Sequence, residues 1–285
     1  MHKWLTAALA VVITLSGAAL QAGVAPEVQK DIEEFQSYFM KRFPGGPLEA
    51  YNDGVNALPQ YAERRANWEI LMEFPPYEAD MDTARELWAK PFKNGKTFAD
   101  CFQNKPPATK YPYYDEARKE IRTIELDINE CLSENGEEPV KNLKTGKIAL
   151  LVAAFREQFN GQEWAVDVES QGAVEAYRLG RQFYWAKRGQ LNFSCANCHV
   201  HNAGNKIRGD VLSAGLGHTT GFPVYRTKWA VAGKPWGTVH RRYGGCNSQV
   251  RATGLKPQSA EYRALELYEA VMNQGIPLKV PSQRQ

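Results

Sequence analysis

Residues 192–202 read NFSCANCHVHN, placing Cys195, Cys198 and His199 in the order Cys-x-x-Cys-His. This is the attachment pattern for c-type haem: two thiols add to the vinyl groups of the ring, and the adjacent imidazole becomes the proximal iron ligand. No other stretch constrains the fold as much, because a chain holding a flat cofactor on a short peptide must fold around it. A thioredoxin-like redox pair would sit in a βαβ pattern, and a zinc site would need more ligands at regular spacing. Neither accompanies the motif. The expected cofactor is one covalently bound c-type haem.

The first residues fit that chemistry. Met1-His2-Lys3-Trp4 is a short basic head, followed by the apolar run LTAALAVVITL and the small-residue stretch SGAALQA. Residues 1–22 are read as a signal peptide cut after Ala22, which sends the protein to the periplasm, where thiols tend to pair. No later stretch is apolar for long enough to span a bilayer, so no membrane association is expected after cleavage. A formal net charge of +3 over 285 residues gives no whole-chain argument for nucleic-acid binding.

Five cysteines occur: Cys101, Cys131, Cys195, Cys198 and Cys246. The haem motif takes two, and the odd remainder leaves one thiol to explain. Cys101 and Cys131 can close a disulfide worth about 3–4 kcal/mol in the chain-entropy model. Cys246 then stands alone, either as a buried free thiol or as a reactive or iron-binding thiolate.

The segment YWAKRGQLNFSCANCH from Tyr184 has an earlier echo, LWAKPFKNGKTFADCFQNK from Leu87. Each carries Trp-Ala-Lys, a glycine-containing turn and an aromatic residue shortly before a cysteine. In the earlier copy Asn104 and Lys105 stand where the second cysteine and the histidine would be. The expected fold is mainly α, with two cytochrome c-like domains in tandem. Residues 23–165 form the domain lacking haem and residues 166–285 the haem-binding domain. Helices are expected from Glu27, over the stretch ending at Leu132, from Thr145, from Gly172 and from Ser259. The last two would cross with Gly180 and Tyr184 facing Tyr268. Nine glycines between 204 and 245 suit irregular loops around a flat cofactor.

The second axial position has several candidates. His201 lies too near the attachment site to reach round the ring, and Met272 sits in the closing helix, where core packing is its ordinary role. His218 and His240 both fall in the loops. Cys246 follows Gly244-Gly245 and is also the leftover thiol. From Val200 to Arg251 eight basic residues face one acid, Asp210, more than two haem propionates require. That excess points to a pocket that attracts a small anion.

Paired cytochrome c domains, a late Cys-x-x-Cys-His and the segment HRRYGGCNSQVRA from His240 resemble the SoxA subunits of the SoxAX cytochromes of bacterial sulfur oxidation. The resemblance implies that His199 and Cys246 ligate the active-site haem, with Cys246 carried as a persulfide. It implies an L-cysteine S-thiosulfotransferase that couples thiosulfate oxidatively to a cysteine of the carrier SoxYZ. Electrons would leave through haem, including that of a small SoxX-type cytochrome. Arg242, and with it Arg251, would hold the thiosulfate oxygens. In two-haem relatives a distal cysteine lies downstream of the first attachment site. Cys131 matches that ligand, so the resemblance implies a one-haem form with a Cys101–Cys131 disulfide where the first haem was. The rival reading is a non-catalytic electron-transfer cytochrome with His218 or His240 opposite His199.

Overall fold

Val28, Ile32, Phe35 and Phe39 recur at helical spacing and are buried along one face of α1 (Pro26–Arg42), which Pro26 opens. The computed structural model describes residues 23–284; the predicted signal peptide lies outside them. Nine more helices follow among the described residues: α2 (Ala62–Glu73), α3 (Glu78–Ala89), α4 (Phe98–Phe102), α5 (Ile124–Glu134), α6 (Lys147–Glu157), α7 (Gln171–Trp185), α8 (Thr227–Ala230), α9 (Val239–Gln249) and α10 (Ala260–Met272). Strands are short. Tyr113–Asp115 and Glu120–Arg122 form an antiparallel hairpin. Val224–Arg226 lies between Trp236–Gly237, antiparallel, and Ser282–Arg284, parallel. The fold is mainly helical, and no helix among the described residues is long and apolar enough to cross a membrane.

Two helix pairs organise the core. In the second half, α7 and α10 cross where Gly180 brings the backbones together: a Cβ there would stand 1.9 Å from the Ala264 carbonyl oxygen. Tyr184 and Tyr268 pack across the crossing, ring centres 5.1 Å apart. Serine side chains cap both helices, Ser170 accepting from Ala173 N–H and Ser259 from Tyr262 N–H. In the first half, α3 packs on α6, and α4, which carries Cys101, follows α3. The echoed Trp-Ala-Lys falls at the end of α3 and again at the end of α7.

The expected helix ending at Leu132 is only half helical. Its first part is the 113–122 hairpin, because the Asp115 carboxylate accepts from the backbone N–H groups of Ala117 and Arg118 and Lys119 takes φ 52°. That side-chain turn competes with helix formation, and the helix begins only after the Thr123 cap. The chain between 204 and 245 is irregular, as expected, but Gly244 and Gly245 lie inside α9 instead of a loop. A Cβ on either would meet nothing within 4 Å, so no close backbone approach explains them.

The first helix does not stay with the first half. Phe35 of α1 packs edge-on against Tyr184 and Tyr268, and Trp68 of α2 donates to the Gln283 carbonyl at 3.0 Å. Residues between 23 and 165 therefore line the cores of both halves.

Candidate haem site

The motif cysteines sit where α7 hands over to a tight turn. Ser194 and Asn197 bond to each other's backbone and side chain, which fixes the start of the turn. Asn197–His201 then forms one wide π-helical turn, a local widening that recurs at functional sites. This turn presents Cys195, Cys198 and His199 to one open cavity. Its walls are largely apolar, among them Phe183, Leu191, Phe193, Leu212 and Leu265. Cys246 lines the same cavity. Burial pushes the Cys195 thiol up to about 12 and the Cys198 thiol upward as well.

His199 is buried, and its Nδ1–H donates to the Ser213 carbonyl at 3.0 Å. That bond leaves Nε2 as the free lone pair, the arrangement usual for a ligating imidazole. Burial, with Arg242 and Arg284 nearby, pulls its pKa down to about 4, so the ring is neutral at pH 7, the form that binds metal. A cavity bounded by two thiols, an oriented imidazole and a third sulfur, with apolar walls, fits a covalently attached haem.

His218 and His240 do not face His199 across this space. The His218 ring centre is only 4.0 Å from that of His199, and its Nδ1 meets the Ser213 hydroxyl at 2.5 Å. An iron between two imidazoles would separate ring centres by about 6 Å, given metal–nitrogen bonds of about 2 Å. His240 is fully buried behind α9, where its Nδ1 accepts from Gln258 N–H and its Nε2 lies 3.0 Å from Glu266. Met272 is core, and His201 is exposed.

The basic residues divide. Arg242 and Lys206 line the haem cavity. Arg242 stands one helical turn before Cys246 on α9, so both point to the same side. A second cavity adjoins the first at His218 and Arg242, and Arg226 and Arg284 also line it. Arg241 instead lies over Trp229 at 3.9 Å and donates to two backbone carbonyls, while Lys228 pairs with Asp210. Arg251 is exposed, follows the lining residues Gln249 and Val250, and takes φ 57° at the rim. Arg284, beyond the basic segment, was not singled out from the sequence. Neither was Glu269, although Glu266 and Glu269, three residues apart among the apolar residues of α10's second half, are the kind of signal that marks a buried acid.

The corresponding place in the first half is closed. Cys101 and Cys131 form a disulfide, sulfur to sulfur 1.97 Å, which ties α4 to α5. Trp88, Phe98, Phe102 and Phe155 stack with centres 4.6–5.3 Å apart and fill the space beside it. Lys105 reaches Asp127 at 3.4 Å and Glu130 at 3.2 Å, within a cluster that Arg118 and Arg122 complete. Those cations, Arg118 first, pull Glu130 down to about 2.

A family model described as the SoxA/TsdA cytochrome c domain matches residues 83–163, the half without the Cys-x-x-Cys-His motif. L-cysteine S-thiosulfotransferase subunit SoxA of Chlorobaculum thiosulfatiphilum is 43% identical over 282 residues, 98% of this chain and 96% of the relative. The Allochromatium vinosum protein of the same name is 41% identical over 281 residues, 97% and 98% of the two chains. Among solved structures, the crystal structure of SoxXA from P. pantotrophus superposes with a TM-score of 0.65 at 30% identity, covering 74% of this chain and 79% of that one. Identity at this level over nearly the whole length, with the same fold, means that the chain belongs to the SoxA family of c-type cytochromes.

Proposed function

We propose that this protein is the SoxA subunit of an L-cysteine S-thiosulfotransferase with one c-type haem, held by Cys195 and Cys198 and ligated by His199 and Cys246. One observation carries the reading: Cys246 shares a cavity with the complete attachment motif, whereas His218, which also lines it, packs beside His199 with ring centres 4.0 Å apart and is held by Ser213, and His240 is buried against Glu266. Residues 23–165 are a cytochrome c-like domain that has lost its haem, and 166–285 the domain that keeps one. The α3/α6 and α7/α10 pairs, each followed by a cysteine-bearing turn or short helix, support this duplication. Residues 1–22 direct export to the periplasm. A SoxX-type small cytochrome is the partner, a reading supported by the similarity to SoxXA, and SoxYZ is the carrier.

In the reaction, the outer sulfur of thiosulfate bonds to the carrier cysteine sulfur; the thiol loses one proton, and two electrons leave the pair. Arg242 offers paired N–H donors to the thiosulfate oxygens beside Cys246, and Arg251 draws the anion in at the rim. Cys246, as thiolate or persulfide, stands where the new sulfur–sulfur bond forms. His199, held by Ser213, keeps the proximal side fixed. Haem bound here supplies a one-electron acceptor, and a second acceptor must take the other electron.

Exchanging Cys246→Met tests the assignment. Haem should stay attached while thiosulfate turnover disappears; turnover near the unaltered rate would refute the role given to Cys246.

A further inference from the structure

A buried acidic track runs from the haem cavity into the first half of the chain, and the reaction above does not use it. Glu269 of α10 lines the cavity, is 5% exposed and accepts a hydrogen bond from the Tyr243 hydroxyl. One turn earlier, buried Glu266 lies 3.0 Å from His240 Nε2 and 3.8 Å from Arg156. Buried Glu125 of α5 interacts electrostatically with the same Glu266, His240 and Arg156. Glu266 and Glu125 thus share one guanidinium and one imidazole, and Glu269, which feels Glu266, is the member that lines the cavity.

Resting on the haem reading above, we propose that Glu269 is a redox-linked proton site: its carboxylate takes up a proton when the adjoining haem iron is reduced and releases it on oxidation. An added electron in a low-dielectric pocket raises the energy of a neighbouring carboxylate anion, and protonation removes that charge. Burial sets the pH range: it holds Glu269 at about 8, so the oxidised protein carries the carboxylate, and can take up a proton on reduction, at and above about pH 8. The groups facing this track are Tyr243 and His240 from α9, Tyr184 from α7, Cys195 from the attachment turn, Arg156 from α6 and Glu125 from α5. Arg263, at the start of α10, is bound to Glu120, and Asp31 of α1 to Arg181. For each electron gained at the iron, one proton moves from water to Glu269; one O–H bond forms there and no other bond in the protein changes.

The test is a spectroelectrochemical titration of the haem-loaded chain from pH 7 to 10, across the value of about 8 for Glu269, beside Glu269→Gln and Tyr243→Phe. The unaltered protein should show a midpoint potential that falls as pH rises, toward 59 mV for each tenfold drop in proton concentration, the one-electron value. Glu269→Gln should flatten that slope, and Tyr243→Phe, which keeps the carboxylate, should shift the pH range and retain the slope. Should Glu269→Gln fail to take up haem, the oxidised-minus-reduced infrared spectrum of the unaltered protein must show a protonated carboxyl band on reduction. A flat profile in the unaltered protein, an unchanged slope in Glu269→Gln, or no carboxyl band overturns the proposal. A chain that carries no haem at all would instead overturn the site assignment.

Discussion

The two cysteine-bearing units share a local order of helix and cysteine and differ in what occupies the centre. Both place a Trp-Ala-Lys at the end of a long helix, and both set a cysteine on the turn or short helix beyond it. Around Cys195 the chain leaves an open, largely apolar cavity and orients an imidazole into it. Around Cys101 four aromatic rings, stapled by the disulfide, fill the space, and Lys105 is held among acids. On the proposed reading, apolar side chains and a covalent link in the first half stand in for what a ring would contribute to its core.

The largest expected effect breaks the comparison at its functional end. Replacing both Cys195 and Cys198 by alanine should remove all covalent haem, measured by the pyridine haemochrome spectrum after denaturation. Changing Cys101 and Cys131 should leave that spectrum intact. Next, Arg242→Ala should lower kcat/KM for thiosulfate by roughly 100-fold, as expected for loss of a charged bidentate contact of about 3 kcal/mol. Haem content should not change. Arg251→Ala, at the rim, should cost less.

Removing the disulfide should destabilise the first half by about 3–4 kcal/mol, read as a lowered denaturation midpoint. Its stabilisation of that half replaces part of what a haem would give. Asn104→Cys with Lys105→His sharpens the same point: with Trp88, Phe102 and Phe155 in place, the restored motif should gain no haem by mass. An attached second haem would mean that the aromatic cluster yields easily.

The two halves should also answer pH in opposite directions. Glu130 sits at about 2 in the folded chain, below the ordinary 4.5, so its contribution is present above 4.5 and lost as pH falls toward 2. Glu269, on α10, is raised to about 8; the folded chain holds a proton that the unfolded chain has released. Stability from the buried track therefore falls as pH rises from about 4.5 to 8. Hydrogen exchange corrected for its intrinsic pH dependence should show α5 and the hairpin loosening first in acid, and α9 and α10 loosening as pH rises. This is the smallest of the expected effects.

Much of this contrast was legible in the sequence. Periodicity found α1, α6, α7 and α10, because each buries a continuous apolar stripe. Counting cysteines anticipated the Cys101–Cys131 disulfide, and the spacing of Cys195, Cys198 and His199 and the leftover Cys246 marked residues that the fold brings to one cavity. Counting charge served less well. Eight cations in one segment suggested one basic pocket, yet aromatic faces and backbone carbonyls take Arg241, and Asp210 takes Lys228. Arg284 and Glu269 come from other parts of the chain, and only the folded packing brings them to the cavities. The hairpin at 113–122 was hidden because a local Asp115 turn outweighs the helical propensity of its neighbours.

The central claim is that one half of a duplicated frame carries haem and the other has closed. Intact-mass analysis of the mature protein exported with its haem-attachment machinery, followed by peptide mapping, tests it most directly. The account predicts a mass increase of one haem, carried on the Cys195/Cys198 peptide, with Cys101 linked to Cys131. A second haem, or a haem on the Cys101 peptide, would contradict it.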